Sequence, residues 1–278
     1  MHSPANSSHG RLPQLDALVI TAPGINCDLE LCRAFELAGA HVETLHVQRL
    51  VREPALIDRF RLIGLPGGFS FGDDIAAGRV LAQLIRQSLY PALVAAMQRG
   101  VPMITPCNGF QIAVQSGLLP GPAAGGRWPD EPASASVALT QNSAACFSDV
   151  WTRFVIPANT RCVWTRGLTC ATGTDVIPCA HGEGRFVTDD DTLAALEANG
   201  QIAIRYAPSD NFNGSQACVA GVCDASGLVF GLMPHPERYT RWTQHPTWTR
   251  LDASQRQGDT PGLRMFKAAV AHAVGVPA

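Results

Sequence analysis

At 278 residues and 46% hydrophobic side chains, the chain is long enough for one large domain or two small ones around a substantial core. A formal net charge of −2 and a pI near 6.4 argue against non-specific nucleic-acid binding, which needs an excess of cation to neutralise phosphates. No run of about 18 apolar residues is present, so no membrane span is expected.

Residues 1–14 lack the apolar stretch of an export signal and read as a disordered tail before a domain over 15–278. Residues 16–21 read as the first strand. Asp28 is a good N-cap for a helix over 29–37, with Gly39 as its stop. Residues 41–47 read as a second strand and 61–65 as a third short apolar run, ended by Pro66 and two glycines. Helices are predicted over about 74–87 and 91–99, with Gly100 closing the second. Residues 101–105 form the next strand. This alternation predicts a parallel sheet with helices on both faces. The Gly/Pro-rich stretch 117–132 reads as a long loop. It is followed by short β-type runs at 136–140, 153–157 and 184–187, a helix over 191–198 and a strand over 202–206. A hairpin is predicted from 218–224 and 227–232, then an irregular segment over 240–261 and a last helix over 262–274.

The nine cysteines (27, 32, 107, 146, 162, 170, 179, 218, 223) are odd in number and contain no Cys-x-x-Cys pair, so neither a disulfide framework nor a zinc site is expected. With no export signal they read as reduced cytosolic thiols. Lys267 is the only lysine, which leaves little room for Schiff-base chemistry or a lysine-dependent P-loop.

Two segments carry chemistry. Cys107 ends an apolar run short enough for a buried strand and is followed by the start of a helix. A strand, a sharp turn holding the nucleophile and a helix form the elbow layout of α/β hydrolytic enzymes. The helix N-terminus beneath it favours an anion, and the Asn108 N–H lies beside the nucleophile, where an oxyanion forms. The second segment follows the apolar run 228–233. His235 precedes Pro236, which pushes its backbone to an extended conformation, so His235 and Glu237 share a face. A thiol, a base and a carboxylate that orients it make up an activated nucleophile. His245 also precedes a proline but has Thr247 two residues on, and reads as structural.

Pro106-Cys-Asn-Gly-Phe-Gln111 and Met233-Pro-His-Pro-Glu-Arg238 resemble the two catalytic segments of class I, triad-type glutamine amidotransferases. Leu65-Pro-Gly-Gly-Phe-Ser-Phe-Gly-Asp73 resembles the oxyanion strand of one branch. His181-Gly-Glu-Gly-Arg-Phe186, Pro23-Gly-Ile-Asn-Cys-Asp28 and Leu139-Thr-Gln-Asn-Ser143 are similar to segments of the same branch, the glutaminase subunit or domain of phosphoribosylformylglycinamidine synthase. The motifs run in order through nearly the whole chain.

The resemblance implies a flavodoxin-like three-layer α/β sandwich with a mostly parallel sheet and a small β excursion after residue 117. It implies hydrolysis of L-glutamine to glutamate and ammonia through a glutamyl thioester, with Cys107 as nucleophile, His235 as base and Glu237 as orienter. Gly68 or Phe69 would supply the second oxyanion donor beside Asn108. Gly67, Gln111, His181 and Glu183 would line the substrate side. No metal or cofactor is expected in this chain. ATP and magnesium would belong to a large synthase subunit, reached with the help of a small bridging subunit.

The family usually has glycine two residues before the nucleophile, where this chain has Thr105, and a β-branched residue there is expected to strain the turn. Three competing readings are a glutaminase for another synthase, a cysteine peptidase or glyoxalase-like protein on the same fold, and a catalytically silent regulatory subunit. Against the peptidase reading, those sites usually place histidine directly after the cysteine, where Asn108 stands.

Overall fold

The computed structural model describes residues 15–169 and 173–275; the tail expected over 1–14 and Cys170 lie outside them. Five strands pair in parallel in the order β2 (His41–His46), β1 (Asp16–Thr21), β3 (Leu62–Gly64), β4 (Met103–Pro106) and β11 (Val229–Leu232). The sheet then continues with antiparallel pairing through β10 (Val219–Cys223), β9 (Ile202–Tyr206), β6 (Ser148–Val155) and β7 (Val176–His181). A separate two-stranded ribbon pairs β5 (Val137–Gln141) with β8 (Glu183–Thr188).

β1 shows why this is a three-layer molecule. Its interior residues are buried on both faces, as a central parallel strand requires. Leu18 and Ile20 belong to one apolar layer, with Leu81 of α3 (Arg79–Leu84), Leu93 of α4 (Tyr90–Gln98) and Phe110 of α5 (Asn108–Gln115). Ala17 and Val19 belong to the other, with Leu31 and Phe35 of α1 (Asp28–Leu37) and Phe266 of α7 (Pro261–Ala273). There the Phe35 ring meets Trp164 and Phe266 edge-on at 6.3 and 5.3 Å. Two N-terminal caps are clear: Thr260 accepts from Leu263 N–H before α7, and Asp189 accepts from Thr192 N–H before α6 (Asp190–Ala198).

The structure departs from the sequence-based expectations at several places. Asp28 is not the N-cap of α1 but its first residue; Cys27 stands at the cap, with no side-chain cap hydrogen bond. Residues 74–78 are not helical, because Gly78 is left-handed at φ 75° and the helix begins at Arg79. Pro91 does not break the helix; a π turn over Ile85–Leu89 joins α3 to α4, a widened turn that absorbs an irregularity in the helical ladder. That helix, Arg79–Gln98, is 20 residues long and apolar enough on length and composition to cross a membrane, a length the two shorter predicted helices do not suggest. Half of it is buried and Leu81, Ile85, Leu89, Leu93 and Met97 all sit in the core, so it behaves as a core helix. Residues 47–52 form a short helix, α2 (Val47–Arg52), although residue 47 reads as strand in the sequence. Finally, β7 is not among the predicted strands. Pro178 lies inside it, which is tolerated because β7 is the last strand of the sheet.

The seating of α5 gives a sharp stability prediction. A Cβ on Gly109 would lie 2.1 Å from Leu65 O, a backbone atom that cannot move aside. Gly109→Ala should lower unfolding stability by about 2 kcal/mol or more through overpacking. Urea unfolding reads this, and a change within about 0.5 kcal/mol would rule it out.

Candidate active site

Cys107 and His235 meet because β4 and β11 are parallel neighbours. Leu232 pairs with Pro106, so both strands end at the same level, and Cys107 N–H donates to Leu232 O at 2.7 Å. Open α/β sheets place ligand sites at such carboxyl ends. The backbone strain falls on Cys107 itself, at φ 52° and ψ −113°, a region L-residues rarely occupy and one that holds its side chain at the elbow. Thr105 is accommodated within β4. It faces Gly231 across the strand pair, and its hydroxyl donates to Phe230 O at 3.2 Å. Gly231 is itself required, since a Cβ there would lie 2.2 Å from the Phe110 ring of α5.

His235 Nδ1 and Glu237 Oε1 are 2.6 Å apart, with the two side chains 2% and 0% exposed. The contact forms by a different route from the one expected. Pro236–Arg238 is a 3-10 turn rather than extended chain, and the turn brings the carboxylate under the ring. His235 N–H is anchored to Pro178 O of β7 at 2.8 Å. Burial pulls the His235 pKa down, but the charges of Glu237 and Cys107 and hydrogen bonds to both push it up to about 10. The Cys107 and His235 side chains converge over Gly67, where a Cβ would stand 3.0 Å from His235 Cε1 and 3.2 Å from Cys107 Cβ. A side chain at residue 67 would wedge the pair.

The backbone of residues 22–27 braces the glycine pair. Ile25 and Gly68 form an antiparallel bridge whose hydrogen bonds fall on their neighbours. Phe69 N–H donates to Gly24 O at 2.9 Å, and Cys27 N–H donates to Gly67 O at 3.3 Å. Gly68 sits at φ 136°, where glycine is needed, and a Cβ would strike Asn26 N at 2.7 Å. The Asn108 side chain accepts from Ser70 N–H at 3.2 Å, tying the nucleophile turn to the same strand end.

Cys107, His235, Gly68 and Phe69 border a cavity of about 250 Å³, which also reaches Gln111, Phe147, His181 and Glu183. It lies near the lower end of small-molecule pockets, roughly 300–1,000 Å³, as suits an amino acid. Gln111 is held at both ends of its amide: it donates to Glu183 O and accepts from Asn108 Nδ2 at 2.9 Å. It braces the β8 segment against α5. His181 is 3% exposed, and burial, then the neighbouring His235, pull its pKa down to about 4, so it is neutral. Its Nδ1 meets Asn142 Oδ1 at 3.1 Å. Asn142 also receives Gly184 N–H at 3.3 Å and donates to His181 O at 2.8 Å, so one side chain holds the whole His181–Gly184 turn.

The sequence presents Asn142 and Cys27 only as members of motifs, with no role attached to either. Cys27 lines the cavity, and Arg238 Nη2 donates to its Sγ at 3.0 Å. Each motif carries the signal, but only the fold shows what these side chains face. His245 is structural as expected, with Nε2 3.1 Å from Gly173 O and its ring against Trp151 and Tyr239.

Residues 14–273 match the family of CobB/CobQ-like glutamine amidotransferase domains, so fold and match together place the chain in the glutamine amidotransferase class. It is 35% identical over 268 residues to the phosphoribosylformylglycinamidine synthase subunit PurQ of Dehalococcoides mccartyi, covering 93% of this chain and 98% of that one. It is 39% identical over 244 residues to the PurQ subunit of Corynebacterium jeikeium, covering 85% and 94%. A solved structure described as PurLQS from Thermotoga maritima superposes with a TM-score of 0.64 at 30% identity, over 92% of this chain and 98% of that one. The chain belongs to the PurQ family of phosphoribosylformylglycinamidine synthase subunits, and it is an enzyme of that family.

Proposed function

We infer that this chain hydrolyses L-glutamine to glutamate and ammonia, and that the ammonia serves the conversion of formylglycinamide ribonucleotide to formylglycinamidine ribonucleotide in purine biosynthesis. The observation that carries this reading is the buried Cys107–His235–Glu237 constellation at one carboxyl edge of the sheet, in a chain with PurQ relatives. His235 takes the Cys107 thiol proton, and the sulfur attacks the side-chain carboxamide carbon of glutamine. The resulting oxyanion is held by the Asn108 and Gly68 N–H groups; Gly68 is the better candidate of its pair because Phe69 N–H is already engaged by Gly24. His235 returns its proton to the leaving nitrogen, ammonia departs, and a thioester remains. Water, deprotonated by His235, then cleaves the thioester to glutamate.

Gly67 leaves space for the reacting carbon between thiol and imidazole. Gln111, His181 and Glu183 shape the opposite wall. By analogy with the PurLQS structure, the partners are a large synthase subunit, which would carry ATP and magnesium, and a small bridging subunit. Phe69 and Phe147, 49% and 55% exposed at the cavity mouth, offer an apolar rim for such a partner. A reaction that needs no metal or cofactor from this chain, and a cytoplasmic location, belong to the same proposal.

The test is glutamate release by the purified chain with and without the two synthase subunits. Release that rises at least about tenfold on adding them supports both reaction and partner. Release indifferent to them keeps the reaction and discards the partner. No release in either state favours a silent regulatory subunit.

A further inference from the structure

We propose that Cys27, His235 and Glu237 form a binding site for a thiophilic divalent cation of the zinc type, and that a cation held there switches off the candidate nucleophile. The spacing of cysteines along the chain gives no hint of such a site. In the fold, Cys27 Sγ, a ring nitrogen of His235 and a carboxylate oxygen of Glu237 all lie within 4.8 Å of one another. All three side chains are buried, and Cys27 and His235 open onto the cavity, which provides a way in.

A second observation points to a ligand. Glu237 Oε1 holds His235, but Oε2 is buried without a hydrogen-bond partner. A buried carboxylate oxygen without a donor is costly, and a cation satisfies it directly. Zinc takes sulfur at about 2.3 Å and nitrogen or oxygen at about 2.0–2.2 Å, so a tetrahedral set needs ligand atoms roughly 3.3–3.6 Å apart. Side-chain adjustments of about 1 Å close the observed set, leaving a fourth position for water.

The sulfur–nitrogen–carboxylate mixture favours zinc over magnesium or calcium, which prefer oxygen alone. Arg238 opposes the cation from 3.0 Å beside Cys27 and must turn toward Glu30, whose carboxylate lies 3.6 Å from its Nε. The cation replaces the Cys27 thiol proton and the proton on the liganding His235 nitrogen, and both pass to solvent, so binding strengthens as pH rises. Once bound, the cation occupies the base and its orienter together, and Cys107 loses its proton acceptor. This inhibitory half rests on the proposed triad; the binding half does not.

The test therefore reads binding without catalysis. Zinc ion is titrated against a chromophoric chelator into the Cys107→Ala chain and into Cys107→Ala/Cys27→Ser. One zinc bound by the first and at least about 30-fold weaker binding by the second is expected, with zinc raising the thermal midpoint of the first alone. Equal affinities, or no binding to the first, overturn the site. Thermal midpoints without zinc establish that both variants fold, and a loss of zinc binding in Glu237→Gln gives a second route to the same answer. With the synthase subunits present, zinc should inhibit glutamate release reversibly, and Cys27→Ser should need at least about tenfold more of it. Equal inhibition of Cys27→Ser overturns the switch. Binding without glutamine hydrolysis under any condition removes the triad reading and leaves the metal site standing.

Discussion

Cys107→Ala should abolish glutamate release, by about 10⁴-fold or more, because removing one member of a cooperating triad costs nearly as much as removing all of it. The fold should survive. Alanine keeps the Cβ and loses only a sulfur at a 7% exposed position, and the strained φ of 52° is no worse for alanine than for cysteine. The variant also separates two roles. Assembled with the synthase subunits and supplied with free ammonium in place of glutamine, it should still support formation of formylglycinamidine ribonucleotide. Loss of the ammonium-dependent reaction as well would mean that Cys107 matters to assembly and not to glutamine chemistry. Retention of glutamine-dependent turnover would remove Cys107 from the mechanism.

Glu237→Gln should cut glutaminase turnover by about 10²–10⁴-fold and should also change its pH dependence, which a merely structural substitution would not do. Burial alone would carry His235 below its ordinary value near 6.5; Glu237 and Cys107 instead bring it to about 10. In the parent enzyme the imidazolium formed when His235 takes the Cys107 proton is therefore kept through neutral pH for delivery to the leaving nitrogen, and activity should fall on the alkaline side near pH 10. Glutamine in place of Glu237 removes the first of the two raising charges. The His235 pKa then drops, and the alkaline limb should move to lower pH. The profile of kcat/KM against pH from about 6 to 11 reads this. A slower enzyme with an unmoved alkaline limb would show that Glu237 does not set the charge state of His235.

Much of this site is legible in the chain itself. The strand–turn–helix around Cys107 is announced by an apolar run ending in Pro106 and by the helical start at Asn108. His235 and Glu237 stand out as a base and carboxylate after a buried strand. Other parts are hidden for physical reasons. The backbone between His235 and Glu237 is a 3-10 turn, and the extended-chain argument reaches the right contact by the wrong path. β7 escapes notice because Pro178 masks a strand that an edge position tolerates. The break expected between residues 87 and 91 does not occur, since a π turn over Ile85–Leu89 carries the helix through. These are cases in which neighbours in space override a local preference.

By itself the sequence determined the α/β alternation, the residue types needed for an activated thiol, and the order of motifs that mark the PurQ family. Those depend on local spacing: a period of two or 3.6, a glycine pair, a proline beside a histidine. Only the tertiary structure decided which groups share the cavity. Cys107 and His235 are 128 positions apart and meet because parallel strands β4 and β11 end level. Cys27, from the loop after the first strand, reaches Glu237 because that loop pairs with Gly68. Contacts of that kind arise from sheet order and register, and no window along the chain contains them.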